Sequence, residues 1–243
     1  MISDEFKCIF VHINKTAGSS IEVFFDQYPR AQHVVTTKCI EEYGRKRWNR
    51  YYKFSIVRNP WDRLLSWYLW IERDKFLYDW SMNTPFHGYD VSYEWGLHQG
   101  HPRVQPDWYE NLKSDFEKFV FSIKTAKDKE DYNLVGHPEN ATKGKWVASQ
   151  LTWLKNSRGH MPIDFLARFE NLENDFKKVC KKLNLEDDPL PRAKVLHNKP
   201  HYSFFYNKET EEKVASLYDD DIEYFNYKFE NKKGYVENEL HNL

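Results

Sequence analysis

The sequence is poor in cysteine, in net charge and in long apolar segments. Its three cysteines, Cys8, Cys39 and Cys180, are odd in number and far apart. They predict neither a disulfide framework nor a metal site, and they favour a reducing compartment. A formal net charge of −1 provides no overall field that would attract nucleic acid or a membrane surface. The chain has no run of about twenty apolar residues, so we expect no membrane-spanning helix.

Short apolar runs alternate with segments of helical periodicity along the 243 residues. Strand-like runs cover residues 6–13, 53–57 and 165–169, with a weaker run at 32–36. Apolar residues at helical spacing follow, among them Leu172, Phe176, Val179 and Leu183. This alternation predicts an α/β fold in which helices flank a central parallel sheet. The length predicts a single domain over residues 1–243.

The first candidate anion-binding segment follows the first predicted strand, where the sequence reads CIFVHINKTAGSSI. An apolar run ends in a lysine, a glycine and three hydroxyl residues, and a helix-compatible run follows. Unpaired N–H groups at a helix start favour a bound anion, and the lysine adds a full positive charge. The glycine-rich loop of common nucleotide-binding proteins places its lysine after the glycine, and here the order is reversed. Six consecutive residues form the predicted loop: Lys15, Thr16, Ala17, Gly18, Ser19 and Ser20.

A second candidate segment follows the strand predicted at residues 53–57. Arg58 stands at the end of that strand, Asn59 is a suitable N-cap, and Pro60 suits the first turn of a helix. Open α/β sheets bind their ligands at the carboxyl ends of the strands. The planar fork of an arginine can contact a phosphate through two bonds. The segment therefore predicts a second phosphate contact, made by Arg58.

The two segments together resemble the type 2 sulfotransferases, which use 3′-phosphoadenosine-5′-phosphosulfate (PAPS). That family includes Golgi carbohydrate sulfotransferases and many bacterial relatives. Its lysine-threonine loop holds the 5′-phosphosulfate, and its RNPxDRxxS segment, matched here by residues 58–66, holds the 3′-phosphate. Residues 164–172 and 218–227 resemble the bacterial branch. The resemblance implies a P-loop-like three-layer fold, PAPS as sulfuryl donor, and Arg58 with Ser66 at the 3′-phosphate.

Sulfuryl transfer to a hydroxyl needs a general base for the acceptor and a cation near the leaving oxygen. Lys15 is the predicted cation. His33 is the predicted base, because its place between the two phosphate segments is similar to that of the catalytic histidine in hexuronic acid 2-O-sulfotransferases. A histidine with an unperturbed pKa of about 6.5 can accept a proton at neutral pH. His12 is the alternative, either as a packed residue or in contact with the acceptor, and the sequence leaves that choice open.

The acceptor and the partners are less well defined by the sequence. Family analogy suggests a carbohydrate hydroxyl, and the basic run at residues 38–53 would suit an anionic glycan, although such runs more often form a solvated helix face. We expect no metal and no nucleic acid. The irregular stretch at residues 79–106 is a candidate for acceptor recognition. The sequence does not indicate the oligomeric state.

Two other functions and one other location remain open at this point. An ATP- and magnesium-dependent phosphotransferase would need a lysine after the glycine and an aspartate at a strand end, and the sequence offers no convincing candidate for either. A non-catalytic nucleotide-binding module would keep the loop and Arg58 but transfer nothing.

The first predicted strand begins near residue 6, so we expect no signal peptide and a cytoplasmic protein. A Golgi location would apply only if the sequence is a trimmed piece of a longer, membrane-anchored chain.

Overall fold

The computed structural model describes residues 1–26, 35–70, 108–123, 147–186, 188–193 and 200–232. The chain divides into two compact units: one combines Met1–Asn59 with Ala148–Lys194, and the other combines Pro60–Val147 with Val195–Leu243. The strands are β1 (Ile2–Ser3), β2 (Cys8–Val11), β3 (Tyr52–Val57) and β4 (Phe165–Arg168). The helices are α1 (Gly18–Phe24), α2 (Thr36–Tyr43), α3 (Arg45–Arg50), α4 (residues 60–70), α5 (Trp108–Ser122), α6 (Gln150–Leu154), α7 (Leu172–Leu183), α8 (Lys208–Leu217) and α9 (Asp219–Phe225).

The first unit contains a four-stranded sheet in the order β1-β2-β3-β4. β3 is parallel to both β2 and β4, and Phe54 in β3 pairs with Phe10 on one side and Phe165 on the other. β1 adds a short antiparallel edge through Ile2 and Ser3. The predicted α/β fold with a mainly parallel sheet flanked by helices is thereby confirmed, apart from the antiparallel edge. Because β2, β3 and β4 are parallel, their carboxyl ends lie along one edge of the sheet.

The core of the first unit is apolar and rich in phenylalanine. Phe10 and Phe54, on neighbouring strands, have ring centroids 5.1 Å apart, and Phe176 and Val179 of α7 are buried in the same cluster. Both α7 residues are among those predicted from helical spacing. A left-handed Asn184 ends the helix and lets the chain turn away. Burial of this helix face fixes the position of the turn that joins β4 to α7.

Asp175 holds that turn through polar contacts. Its carboxylate accepts hydrogen bonds from the backbone N–H of Arg168 at 2.8 Å, from the Asn171 amide at 3.1 Å and from the Lys178 ammonium at 2.7 Å. Burial alone would raise the pKa of the Asp175 carboxyl, but these donors favour the charged form and the net pKa is lowered. The turn of 3-10 helix at Phe169–Asn171 is therefore tied to the first turn of α7.

The second unit is helical in its described part. Its core contains Trp61, Leu65 and Tyr68 of α4 together with Phe116 of α5. Two buried tyrosines in this unit bond to backbone carbonyls. The Tyr206 hydroxyl donates to the carbonyl of Trp61 at 2.8 Å, and the Tyr218 hydroxyl donates to the carbonyl of Val147 at 2.7 Å. Burial raises the pKa of both phenols, which therefore stay neutral donors near neutral pH.

Several predictions concern segments that differ from expectation or lie outside the described residues. The prediction of a weak strand at residues 32–36 is wrong for Thr36, which begins α2, while residues 32–34 lie outside the described part of the chain. The basic run at residues 38–53 forms α2, α3 and the start of β3, and most of its charged side chains are exposed. His33 and residues 79–106 lie outside the described part of the chain. The single domain over residues 1–243 stays a prediction. Within the described residues, no helix has the length and apolar character needed to cross a bilayer.

Candidate functional site

The candidate site lies in the first unit, at the carboxyl edge of its three parallel strands. β2 is followed by the predicted anion loop, β3 by Arg58, and β4 by the 3-10 turn Phe169–Asn171. Parallel strands bring these three connections to the same edge of the sheet, which is where open α/β sheets bind ligands. The sequence prediction that the loop and Arg58 share one site depends on this geometry.

The loop after β2 has an unusual backbone conformation. Lys15 and Ala17 both have positive φ, at 63° and 68°, although neither is glycine. Each such residue costs on the order of 1–3 kcal/mol, which the contacts of the surrounding structure must offset. The Thr16 hydroxyl, which lies between them, donates to the carbonyl of Ile13 at 2.8 Å and closes the turn. Left-handed residues of this kind point consecutive N–H groups into a concavity, which is a common way to bind an anion.

The hydroxyl residues of the loop have different environments. The Thr16 hydroxyl is buried and bonds within the loop. The Ser20 hydroxyl accepts a hydrogen bond from the backbone N–H of Ala193 at 3.2 Å, so it ties α1 to the segment that follows α7. Ser19 is half-buried and Lys15 is half-buried. Thr16 can therefore contribute to an anion site through its backbone N–H, whereas Ser19 and Lys15 can contribute their side chains.

His12 lies beneath the loop and is only 3% exposed. Its Nδ1 lies 2.9 Å from a carboxylate oxygen of Glu22, and its ring packs beside Phe10 with centroids 5.4 Å apart. A carboxylate accepts hydrogen bonds, so Nδ1 is the donor and Nε2 is turned toward Gly18. A Cβ atom added to Gly18 would lie 1.9 Å from Nε2. Gly18 is therefore required because the buried imidazole fills the space beside its Cα.

Arg58 connects the two predicted phosphate-binding segments. Its side chain is largely buried, with the residue 7% exposed. One terminal nitrogen, Nη1, donates to the carbonyl of Lys15 at 2.9 Å, and the guanidinium lies 3.8 Å from the centre of the Phe169 ring. The arginine thus contacts the anion loop on one side and the 3-10 turn after β4 on another. This contact also restrains the left-handed backbone at Lys15.

Two polar residues that sequence reasoning missed hold the backbone around Arg58. The Gln150 side chain accepts from the Arg58 N–H and donates to the Arg58 carbonyl, each at 2.8 Å. Glu170 accepts from the N–H of Asn59 at 2.5 Å. Gln150 stands with Ser149 and Thr152 in the otherwise apolar run WVASQLTWL, but nothing in the sequence pairs it with Arg58. Glu170 lies in the segment quoted for the resemblance, but nothing in the sequence pairs it with Asn59.

The structure brings some predicted site residues together and places others elsewhere. Residues 15–20 and Arg58 share the first unit, where Arg58 and Lys15 are in direct contact. Ser66 is half-buried on α4 in the second unit. His33 lies outside the described residues. Considering only the residues that the structure describes, no three His, Cys, Asp or Glu side chains are grouped to hold a metal ion.

A sequence profile of the sulfotransferase family matches residues 1–228. The chain belongs to the type 2 sulfotransferase family. The predicted resemblance is thereby confirmed at the family level, while the bacterial branch stays a prediction. No curated protein and no solved structure matches the chain. Membership of the sulfotransferase family supports sulfuryl transfer as the general chemistry of this protein.

Proposed function

We propose that this sulfotransferase family member transfers a sulfuryl group from PAPS to a hydroxyl acceptor. The observation that carries the proposal is the 2.9 Å hydrogen bond from Arg58 Nη1 to the Lys15 carbonyl. This bond joins the two segments that the family uses for the two ends of the nucleotide. A donor with phosphate groups at both its 3′ and 5′ positions suits two neighbouring cationic segments better than a donor with a single phosphate chain.

The residues of the site fit such a donor. Lys15, Thr16, Ala17, Gly18, Ser19 and Ser20 hold the 5′-phosphosulfate in the proposal. The loop backbone, the Lys15 ammonium and the Ser19 hydroxyl are the groups suited to contact it. Arg58 holds the 3′-phosphate with the donors of its fork, and its nearly buried position strengthens a charge-assisted bond. Ser66 adds one hydroxyl to the 3′-phosphate by family analogy.

PAPS supplies the sulfuryl group on a phosphate leaving group. In the proposed reaction the bond between sulfur and the phosphate oxygen breaks, and a bond forms between sulfur and the acceptor oxygen. Lys15 stabilises the charge that develops on the phosphate oxygen. His33 accepts the acceptor proton and later releases it to water. No metal takes part.

The environment of His12 supports the choice of His33 as the base. His12 is almost completely buried and its Nδ1 is bonded to Glu22, which suits a residue that supports the loop from below. An acceptor hydroxyl would have to reach a ring that packs against Gly18. His12 remains the alternative base, and comparison of variants at the two histidines distinguishes them.

The proposed acceptor is a carbohydrate hydroxyl. This choice rests on analogy with the carbohydrate sulfotransferases of the family, and fold alone does not fix a substrate. Exposed basic side chains on α3, including Arg45 and Lys46, would suit an anionic glycan. The PAPS donor does not depend on the acceptor class, so the two parts of the proposal can fail separately.

A transfer assay with 35S-labelled PAPS tests the proposal. The acceptor panel should include acidic glycans, neutral sugars, phenols and hydroxylated lipids. We expect label on a carbohydrate acceptor with the wild-type protein, and loss of that label in Lys15→Ala and Arg58→Ala. Lys181→Ala, which removes an exposed lysine from α7, is the matched control and should retain activity. Phosphate transfer from ATP with magnesium, with no transfer from PAPS, would contradict the proposal.

A further inference from the structure

Gln150 makes an unusual pair of contacts with the backbone of a single residue. Its amide oxygen accepts from the N–H of Arg58 and its amide nitrogen donates to the carbonyl of Arg58, each at 2.8 Å. The two residues are 92 positions apart in sequence. Both hydrogen bonds are buried, and Gln150 has no exposed surface. The side chain amide therefore satisfies both backbone polar groups of Arg58 at once.

The element that carries Gln150 is firmly anchored. α6 is capped by Ser149, whose hydroxyl accepts from the N–H of Thr152, and its Trp153 and Leu154 are buried. A side chain that projects from an anchored helix can hold a partner in place with little freedom. The position of Arg58 is thus set by α6 as well as by the end of β3.

Fixing the backbone of Arg58 fixes the direction in which its side chain leaves the chain. The guanidinium then lies over the Phe169 ring and donates to the Lys15 carbonyl. Both contacts depend on a long, flexible side chain that would otherwise sample many rotamers. The guanidinium binds a phosphate at full strength only if its N–H donors already point toward the phosphate position.

We propose that Gln150 is a positioning residue for recognition of the nucleotide 3′-phosphate, acting through Arg58. This inference rests on the proposed function, in which Arg58 binds that phosphate. Gln150 should contribute to the binding affinity that the 3′-phosphate adds, and not to the affinity for the rest of the nucleotide. A residue with only a structural role would affect both.

The test compares two ligands that differ only by the 3′-phosphate. Dissociation constants of adenosine 3′,5′-bisphosphate and adenosine 5′-monophosphate are measured by calorimetry, and their ratio gives the 3′-phosphate preference. We expect a clear preference for the bisphosphate in the wild-type protein. Gln150→Leu should reduce that preference about tenfold, the scale of one hydrogen bond to a charged group, and leave binding of the monophosphate almost unchanged. Thr152→Ala, on the exposed side of the same helix, should keep the wild-type preference.

A second variant keeps the test decisive if Gln150→Leu does not fold. Gln150→Glu retains an acceptor for the Arg58 N–H but places an oxygen opposite the Arg58 carbonyl, so the preference should again fall. Equal losses for both ligands, or an unchanged preference in the Gln150 variants, would overturn the inference. A wild-type protein without preference for the bisphosphate would instead contradict the proposed function, and with it the premise of the inference.

Discussion

Substitution of Gly18 by alanine should destabilise the protein because of one buried side chain, His12. The added Cβ would lie 1.9 Å from His12 Nε2 and 2.0 Å from His12 Cδ2, whereas carbon atoms pack at about 3.5–4.0 Å. The imidazole cannot easily yield, because Glu22 holds its Nδ1 at 2.9 Å and Phe10 packs beside it. The loop or the ring therefore has to move.

The expected change in the free energy of unfolding combines two opposing effects of the Gly18→Ala substitution. Overpacking of a buried site costs about 1–3 kcal/mol. Replacing a glycine by alanine in the middle of a helix stabilises it by roughly 0.5–1 kcal/mol, and less is expected here without the clash because Gly18 is the first residue of α1. Gly18→Ala should thus lower the free energy of unfolding in the wild-type background, and should be neutral or stabilising when His12 is also alanine. The sign of the effect, and not only its size, depends on His12.

A double-mutant cycle on the apparent melting temperature measures this dependence. A change of 1 kcal/mol corresponds to about 2–4 °C in a chain of this size class. His12→Ala alone should cost roughly 3–5 kcal/mol, because it leaves the buried Glu22 carboxylate without its partner. The cost of His12→Ala alone cancels, because the cycle compares the effect of Gly18→Ala with and without His12. Gly18→Ala effects that are equal in the two backgrounds would refute the assignment of the clash to His12.

Three further predictions concern nucleotide affinity, transfer rate and acid stability. Arg58→Ala should weaken binding of adenosine 3′,5′-bisphosphate by on the order of 2 kcal/mol, the scale of a lost charge-assisted contact, and Ser66→Ala should weaken it less, as measured by calorimetry. His33→Ala should leave that affinity nearly intact while the transfer rate falls by roughly 10²-fold, and the wild-type rate should fall as the pH drops and the histidine becomes protonated. Asp175→Asn should be less stable than wild type at neutral pH in urea unfolding. The pKa of Asp175 is lowered in the folded state, so its stabilisation is fully present above the unfolded value near 3.8 and is lost as the pH falls through the lower folded value.

Each of these predictions has a contradicting result. Equal bisphosphate affinity in wild type and Arg58→Ala would show that the 3′-phosphate binds elsewhere. Retained transfer in His33→Ala, together with a His12→Ala protein that is folded and binds the bisphosphate but has lost transfer, would move the base to His12. A wild-type to Asp175→Asn stability difference that persists unchanged well below pH 3.8 would contradict the lowered pKa of that carboxyl.

The sequence predicted the strands and the loop of the site better than the long-range contacts that hold them in place. The strand before Lys15 and the strand before Arg58 were identifiable because buried parallel strands are short apolar runs with polar residues at their ends. The parallel pairing of β2 and β3 then explains why the two segments meet. Local pattern was sufficient for this part because each strand and the site residues that follow it form one short, continuous stretch of sequence.

The rest depends on contacts between distant positions, which leave no local pattern. Gln150 holds Arg58 across 92 residues, and Glu170 holds Asn59 across 111. Besides its predicted place in the anion loop, Gly18 has a packing role that the sequence did not indicate. It is required by the packing of a buried imidazole, a fact that became visible only when His12 was placed beneath the loop. A single sequence records the residues but not these partners.

The most direct test of the account is which nucleotide stabilises the protein, because it needs no knowledge of the acceptor. Melting curves are recorded with adenosine 3′,5′-bisphosphate and with ATP plus magnesium at equal concentrations, since a ligand raises the melting temperature according to its affinity for the folded state. The account predicts a clearly larger increase with the bisphosphate, and loss of that difference in Arg58→Ala. A larger increase with ATP, enhanced by magnesium, would contradict a PAPS-dependent sulfotransferase and favour a phosphotransferase.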